Sequence, residues 1–225
     1  MSHFIMKATP VHDFLASLRD PVNIKVYVPS GPKPLLIPKA IVCKASDYFE
    51  KALSEKYAEG QDNVFHFDED KADAVDVFVY WMYNDVLPSF HDKIYDHGYF
   101  GLLVHSWILG DKYMAPAFQN LIMEDLCSYA ESYPVEDGLE TSLISEIWVF
   151  TTSDSKLRQF IVEWITASFL EGFCEWDSNE TFNSCENLAA EVITTLSNRY
   201  RDLENRPPTS PLDGKALMVP DVERD

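Results

Sequence analysis

Apolar and polar positions alternate at the start of the ordered pattern: Ile24, Val26 and Val28 are separated by Lys25 and Tyr27. A period of two predicts a half-buried strand. Pro29-Ser30-Gly31-Pro32 is dense in turn residues, and Leu35-Leu36-Ile37 follows as a second short strand, so the two read as a hairpin. From Pro38 the spacing becomes helical through Ile41, Val42, Ala45, Tyr48, Phe49 and Leu53. The pattern predicts two short helices broken near Ser46-Asp47, with Pro38 in the first turn and Gly60 as the terminator. Val64-Phe65-His66-Phe67 is a third strand, and Asp68-Glu69-Asp70 caps a helix carrying Val75, Phe78, Val79 and Met82 on one face.

Two further amphipathic helices follow, one with Phe100, Leu103, Val104, Trp107 and Ile108, the other with Phe118, Leu121, Ile122, Leu126 and Tyr129. They close a first domain near residue 132. Beyond Tyr133-Pro134 the pattern is helical only, through Leu143, Ile144, Ile147 and Trp148, then Leu157, Phe160, Ile161, Trp164 and Ile165, then Leu188, Val192, Ile193 and Leu196. The expected organisation is a lead-in at 1–19 with a short helix around Phe14 to Leu18, an α/β (α+β) domain at 20–132, an all-helical extension at 138–204 and a flexible tail at 205–225. The tail holds Pro207, Pro208, Pro211, Gly214 and Pro220 and too little apolar content to fold alone.

Composition narrows the function classes. At 225 residues and 46% hydrophobic content, the chain is long enough for one good core and a smaller appended unit. Its formal charge is −19, and no Lys or Arg occurs between Lys112 and Lys156. Nucleic acid and anionic membrane surfaces are therefore poor partners, since both require clustered cations. Cys43, Cys127, Cys174 and Cys185 form no CxxC pair, the N-terminus lacks a secretory pattern, and no apolar run is long enough for a membrane helix. These features predict reduced thiols in an intracellular protein, cytoplasmic or nuclear, in which the Asn179-Glu180-Thr181 glycosylation triplet has no use.

Motifs for chemistry are weak. His91, Asp92, Asp96 and His97 place four ligand types close together, but without the paired Cys or His spacing of structural zinc, so a polar loop is the better reading and no metal is expected. His105 and Ser106 are adjacent on a helix and face directions about 100° apart, which does not suit a base and its nucleophile. No G-x-S-x-G, G-x-G-x-x-G or P-loop pattern occurs, so neither a hydrolase nor a nucleotide cofactor is expected. Cys43 and Cys127 read as small packing residues, and Trp107, Trp148 and Trp164 as core. Trp81 lies beside its helix's apolar stripe, where an aromatic serves either as an interface anchor or as burial against the second part.

The succession of elements carries a resemblance. Ile24-Lys25-Val26-Tyr27-Val28 followed by Leu36-Ile37-Pro38-Lys39-Ala40-Ile41-Val42-Cys43-Lys44-Ala45-Ser46-Asp47-Tyr48-Phe49 resembles the opening of BTB/POZ domains. Phe78-Val79-Tyr80-Trp81-Met82-Tyr83 is similar to a later helix of that family, and Leu109-Gly110-Asp111-Lys112-Tyr113 with Pro116-Ala117-Phe118-Gln119-Asn120 resembles its fungal branch. The resemblance spans residues 20–132. It implies a small sheet of three to five strands flanked by helices, no enzymatic activity and no cofactor, and a role in homodimerisation, in recruitment to a cullin ubiquitin-ligase scaffold as an adaptor, or in both. Tyr57-Ala58-Glu59 matches the hydrophobic, any, Glu triplet with which some members contact a cullin. Tyr57, Glu59 and Trp81 are accordingly the expected partner-binding residues. Val22 and Pro38 stand where the family commonly has Asp and His, so the charged pocket of those relatives is not expected here. The alternative, a structural self-associating protein with no ligase role, fits the same pattern, and neither reading names a client.

Overall fold

The computed structural model describes residues 22–67, 69–89, 98–171, 182–183, 185–203 and 218. The lead-in, the His91 to His97 loop, Cys174, the glycosylation triplet and the tail, save residue 218, lie outside the described residues. The chain divides into two compact units, the first running to Val86 and including Tyr113–Ala115, the second comprising Leu87–Lys112 and the chain from Pro116 onward. The described residues form a mixed α and β structure with a small three-stranded mixed sheet.

In the first unit, β1 (Asn23–Tyr27) pairs antiparallel with β2 (Leu35–Pro38), with Ile24 opposite Ile37 and Val26 opposite Leu35. The strand β3 (Val64–His66) pairs with β1 in parallel, giving the order β2-β1-β3. The alternation has its expected physical result: Ile24, Val26 and Ile37 are buried, whereas Leu36 is 64% exposed. Because the Lys25 amide donates to Asn63 on the β3 side, the Ile24 and Val26 backbones face β2. Leu36 consequently turns its own N–H to the open edge, between Pro34 and Pro38, which have none. This edge offers little to an incoming strand.

Two short helices, α1 (Lys39–Ala45) and α2 (Asp47–Ala52), follow β2 directly. The break falls at Ser46, whose extended backbone ends α1 while its hydroxyl accepts the Phe49 amide at 3.4 Å and caps α2. The one-turn helix α3 (Ala58–Asp62) precedes β3, and α4 (Ala72–Asn84) follows it. Two sequence expectations are corrected. Gly60 does not terminate a helix but sits inside α3, and the left-handed residue that ends α3 is Asn63, φ 52°. Nor does Asp70 cap α4: Lys71 is the N-cap and makes no side-chain cap bond, while Asp70 accepts the Tyr113 hydroxyl at 2.7 Å, and Asp68 of the same acidic run lies outside the described residues.

The core of this unit is aromatic. Phe49, Phe65, Phe67, Phe78 and Tyr113 lie with ring centroids 5.0–6.3 Å apart, in offset and edge-on arrangements that suit ring quadrupoles.

The second unit contains α5 (Gly98–Lys112), α6 (Pro116–Ser132), α7 (Val135–Gly138), α8 (Thr141–Phe150), α9 (Lys156–Glu171) and α10 (Leu188–Leu203). Phe100, Tyr129 and Trp164 meet around Gly138, where a Cβ would stand 2.9 Å from the Tyr129 ring. Only glycine admits so close an approach. Trp107 and Trp164 are core residues, as their stripes predict. Trp148 is half-buried instead. Its indole N–H donates to the Glu186 carbonyl, and the Arg158 guanidinium lies 5.0 Å above its ring while donating to the Trp148 and Thr151 carbonyls. Arg158 thus closes the C-terminal end of α8, where unsatisfied carbonyls attract a cation.

Candidate functional site

The sequence pointed to Tyr57 and Glu59, and the local backbone explains how they are held. After α2 the chain turns twice within a few residues: the Tyr57 amide donates to the Ser54 carbonyl at 3.1 Å, and the Gln61 side chain donates to the Glu55 carbonyl at 3.1 Å. Tyr57 is extended (φ −116°, ψ 156°) as the N-cap of α3, its carbonyl accepting the amides of Gly60 and Gln61 at 3.2 and 3.1 Å. Tyr57 is 54% exposed. Glu59 lies in the first turn of α3 and is exposed, so the aromatic ring and the carboxylate stand on one short, closed segment.

Gly60 makes this closure possible. It is buried, and a Cβ there would overlap the Ser54 carbonyl oxygen and come within 2.6 Å of the Leu53 carbonyl carbon. Three residues on, Asn63 anchors the segment to the sheet, its carbonyl accepting the Lys25 amide at 2.9 Å. Asn tolerates the left-handed conformation better than most residues. A rigid scaffold beneath an exposed loop is the usual arrangement for recognition residues.

Chemically the segment offers an amphipathic ring and a carboxylate acceptor. The ring suits an apolar pocket of a partner, and the carboxylate a charge-assisted hydrogen bond from a cation or amide. Trp81 does not join them. It lies on α4 at 5% exposure, its ring 5.5 Å from Phe78, and its side chain is part of the interior rather than of a presented surface. Its position off the main stripe marks a wide buried face, which also takes in Val77.

The remaining candidates show ordinary structural chemistry. His105 pairs with Glu146 at 2.7 Å, while the neighbouring Ser106 hydroxyl is buried without a hydrogen-bond partner among the described residues. Cys43 and Cys127 are half-buried rather than fully buried. Burial raises both thiols above their ordinary value, that of Cys127 to about 11 with help from Glu131 and Glu124, which makes each a poor nucleophile. No group of three or more metal-ligating side chains occurs among the described residues, and His91, Asp92, Asp96 and His97 fall outside them. Among the described residues no helix is long and apolar enough to cross a membrane.

One carboxylate was invisible to sequence reasoning. Asp125 on α6 accepts the buried Tyr99 hydroxyl at 3.1 Å. Burial pushes its carboxyl above the usual range, the Tyr99 bond opposing this and Glu124 adding to it. A carboxyl raised on folding contributes stability that is complete below about pH 3.9 and is lost as pH rises through the folded value. Asp125→Asn keeps an acceptor for Tyr99 without the charge. Thermal melts are therefore expected to shift in the variant's favour, relative to the parent, between about pH 3 and pH 7. A melting difference that is constant across that range contradicts the assignment.

No protein-family model and no curated protein matches the chain.

Proposed function

We propose that this chain is a non-catalytic protein-interaction module of the BTB/POZ kind, its domain spanning residues 20–132 and its helical extension 138–204. It works by presenting surfaces: one for a cullin-type ubiquitin-ligase scaffold or for a second copy of itself, another for a client. The observation that carries the reading is the exposed Tyr57 ring beside Glu59 on a segment closed by Gly60 and tied to β1. The order of elements is in keeping with it: an antiparallel strand pair, two short helices, a parallel third strand, then long helices. Val22, at the position of a common family Asp, is exposed and uncharged, so a scaffold contact here rests on the Tyr57 segment alone.

Calorimetric titration against the N-terminal part of the host's BTB-binding cullin tests the adaptor role. The parent is expected to bind at micromolar affinity or tighter. Tyr57→Ala with Glu59→Lys is expected to lose roughly 2 kcal/mol or more, the scale of an aromatic anchor plus a reversed charge. No heat and no binding by a second method would remove the scaffold role and leave self-association as the function.

A further inference from the structure

The exposed face of α4 carries a second surface. Asp73, Asp76, Tyr80 and Tyr83 follow one another at spacings of three, four and three, and all four are exposed. At 100° per residue they fall on one stripe about 80° wide, opposite the buried Val75, Phe78 and Met82. Tyr80 and Tyr83 are 43% and 49% exposed, and Val86 just beyond them is 53% exposed. The acidic half of the stripe lies toward the helix N-terminus and the aromatic half toward its C-terminus.

Both halves favour a cation. Asp76 accepts a hydrogen bond from the Ser30 hydroxyl at 2.7 Å, a neutral donor that fixes the carboxylate in place and leaves its charge. The tyrosine rings attract cations through their faces. The stripe itself carries no Lys or Arg; the cation near its far end, Lys44, is engaged with Asp85 at 2.6 Å. A guanidinium both stacks on an aromatic face and forks to a carboxylate, which an ammonium does not. A second copy of this chain is the poorer occupant: a parallel self-contact sets Asp73 and Asp76 against their own counterparts, and an antiparallel one sets them over the other copy's tyrosines with no cation supplied, in a protein of net charge −19.

We propose that the Asp73, Asp76, Tyr80, Tyr83 face of α4 docks a protein segment that presents arginine beside apolar residues. The surface does not depend on the scaffold contact at Tyr57 and Glu59. It supplies the client surface of the proposed function.

The test uses the full chain and a helical peptide with arginines at every fourth position and leucines beside them, together with its Lys and Glu counterparts. Fluorescence anisotropy of the labelled peptides is expected to show the Arg peptide binding roughly tenfold more tightly than the Lys peptide, and no binding of the Glu peptide. Tyr80→Ser with Tyr83→Ser, both at exposed positions, is expected to weaken the Arg peptide roughly tenfold, whereas Tyr57→Ala with Glu59→Lys leaves it unchanged. Equal binding of Arg and Lys peptides, or an unaltered affinity in the tyrosine variant, means net charge alone attracts them and overturns the proposal. So does a concentration-dependent mass increase that the tyrosine variant abolishes, which would make a second copy the occupant.

Discussion

Tyr113→Ala is expected to cost about 3–5 kcal/mol, the range for removing a large buried aromatic side chain. That is a large part of the stability of an ordinary domain. Tyr113 is 3% exposed and stacks on Phe49 with centroids 5.2 Å apart, while Phe65 and Phe67 meet it edge-on. In sequence it lies between α5 and α6, just before the left-handed Met114, φ 53°, yet it belongs to the first unit. The first unit is thus discontinuous in sequence, and a fragment ending at Val86 lacks a ring from the centre of its core. Tyr113→Phe keeps the rings and loses the hydroxyl with its bond to Asp70, so its cost is expected to be about 1–2 kcal/mol. Urea unfolding followed by aromatic circular dichroism separates the two. Equal midpoints for the Ala and Phe variants would mean that the ring itself contributes little.

Gly60→Ala is the second large effect, and it bears on the proposed contact at Tyr57 and Glu59 as well as on stability. The added methyl meets backbone, the carbonyls of Ser54 and Leu53, and neither is the mobile end of a side chain. Either α3 shifts or the turn before it opens. A cost of about 3 kcal/mol or more is expected, at the upper end of overpacking penalties. By contrast Tyr57→Ala, at an exposed position, is expected to change stability by about 0.5 kcal/mol at most. Amide exchange provides the local readout: in Gly60→Ala the Lys25 amide, bonded to the Asn63 carbonyl, loses protection. Retained protection with a parental unfolding midpoint would show that the segment tolerates the methyl group and is less tightly closed than its geometry implies.

Periodicity made the elements legible. Ile24, Val26 and Ile37 lie inside because a strand alternates faces, and the helical stripes through Phe100, Ile122, Ile147 and Phe160 are buried for the equivalent reason at 3.6 residues per turn. Even the break at Ser46 was readable, since Ser before Asp is a helix-start signal. What escaped was tertiary. Gly60 looks like a terminator in one dimension, and only the return of the Ser54 backbone shows that it is a point of close approach. The acidic residue Asp70 looks like a cap until Tyr113, distant in sequence, claims it. Trp81 was ambiguous because a residue flanking a stripe is exposed on a narrow interface and buried on a wide one, and α4 has the wide kind. For the candidate site, the triplet at Tyr57 was legible as residue types, whereas its support by Gly60 and β1 was not.

The central claim is that the chain acts by binding protein through its own surfaces, and sedimentation of the full chain tests it most directly, across a range of concentrations, alone and with the cullin fragment. The expected result is a mass above that of one chain in at least one of these series: a complex with the fragment that Tyr57→Ala with Glu59→Lys disrupts, or a homo-oligomer. A single-chain mass at every concentration, unchanged by the fragment, would contradict the account.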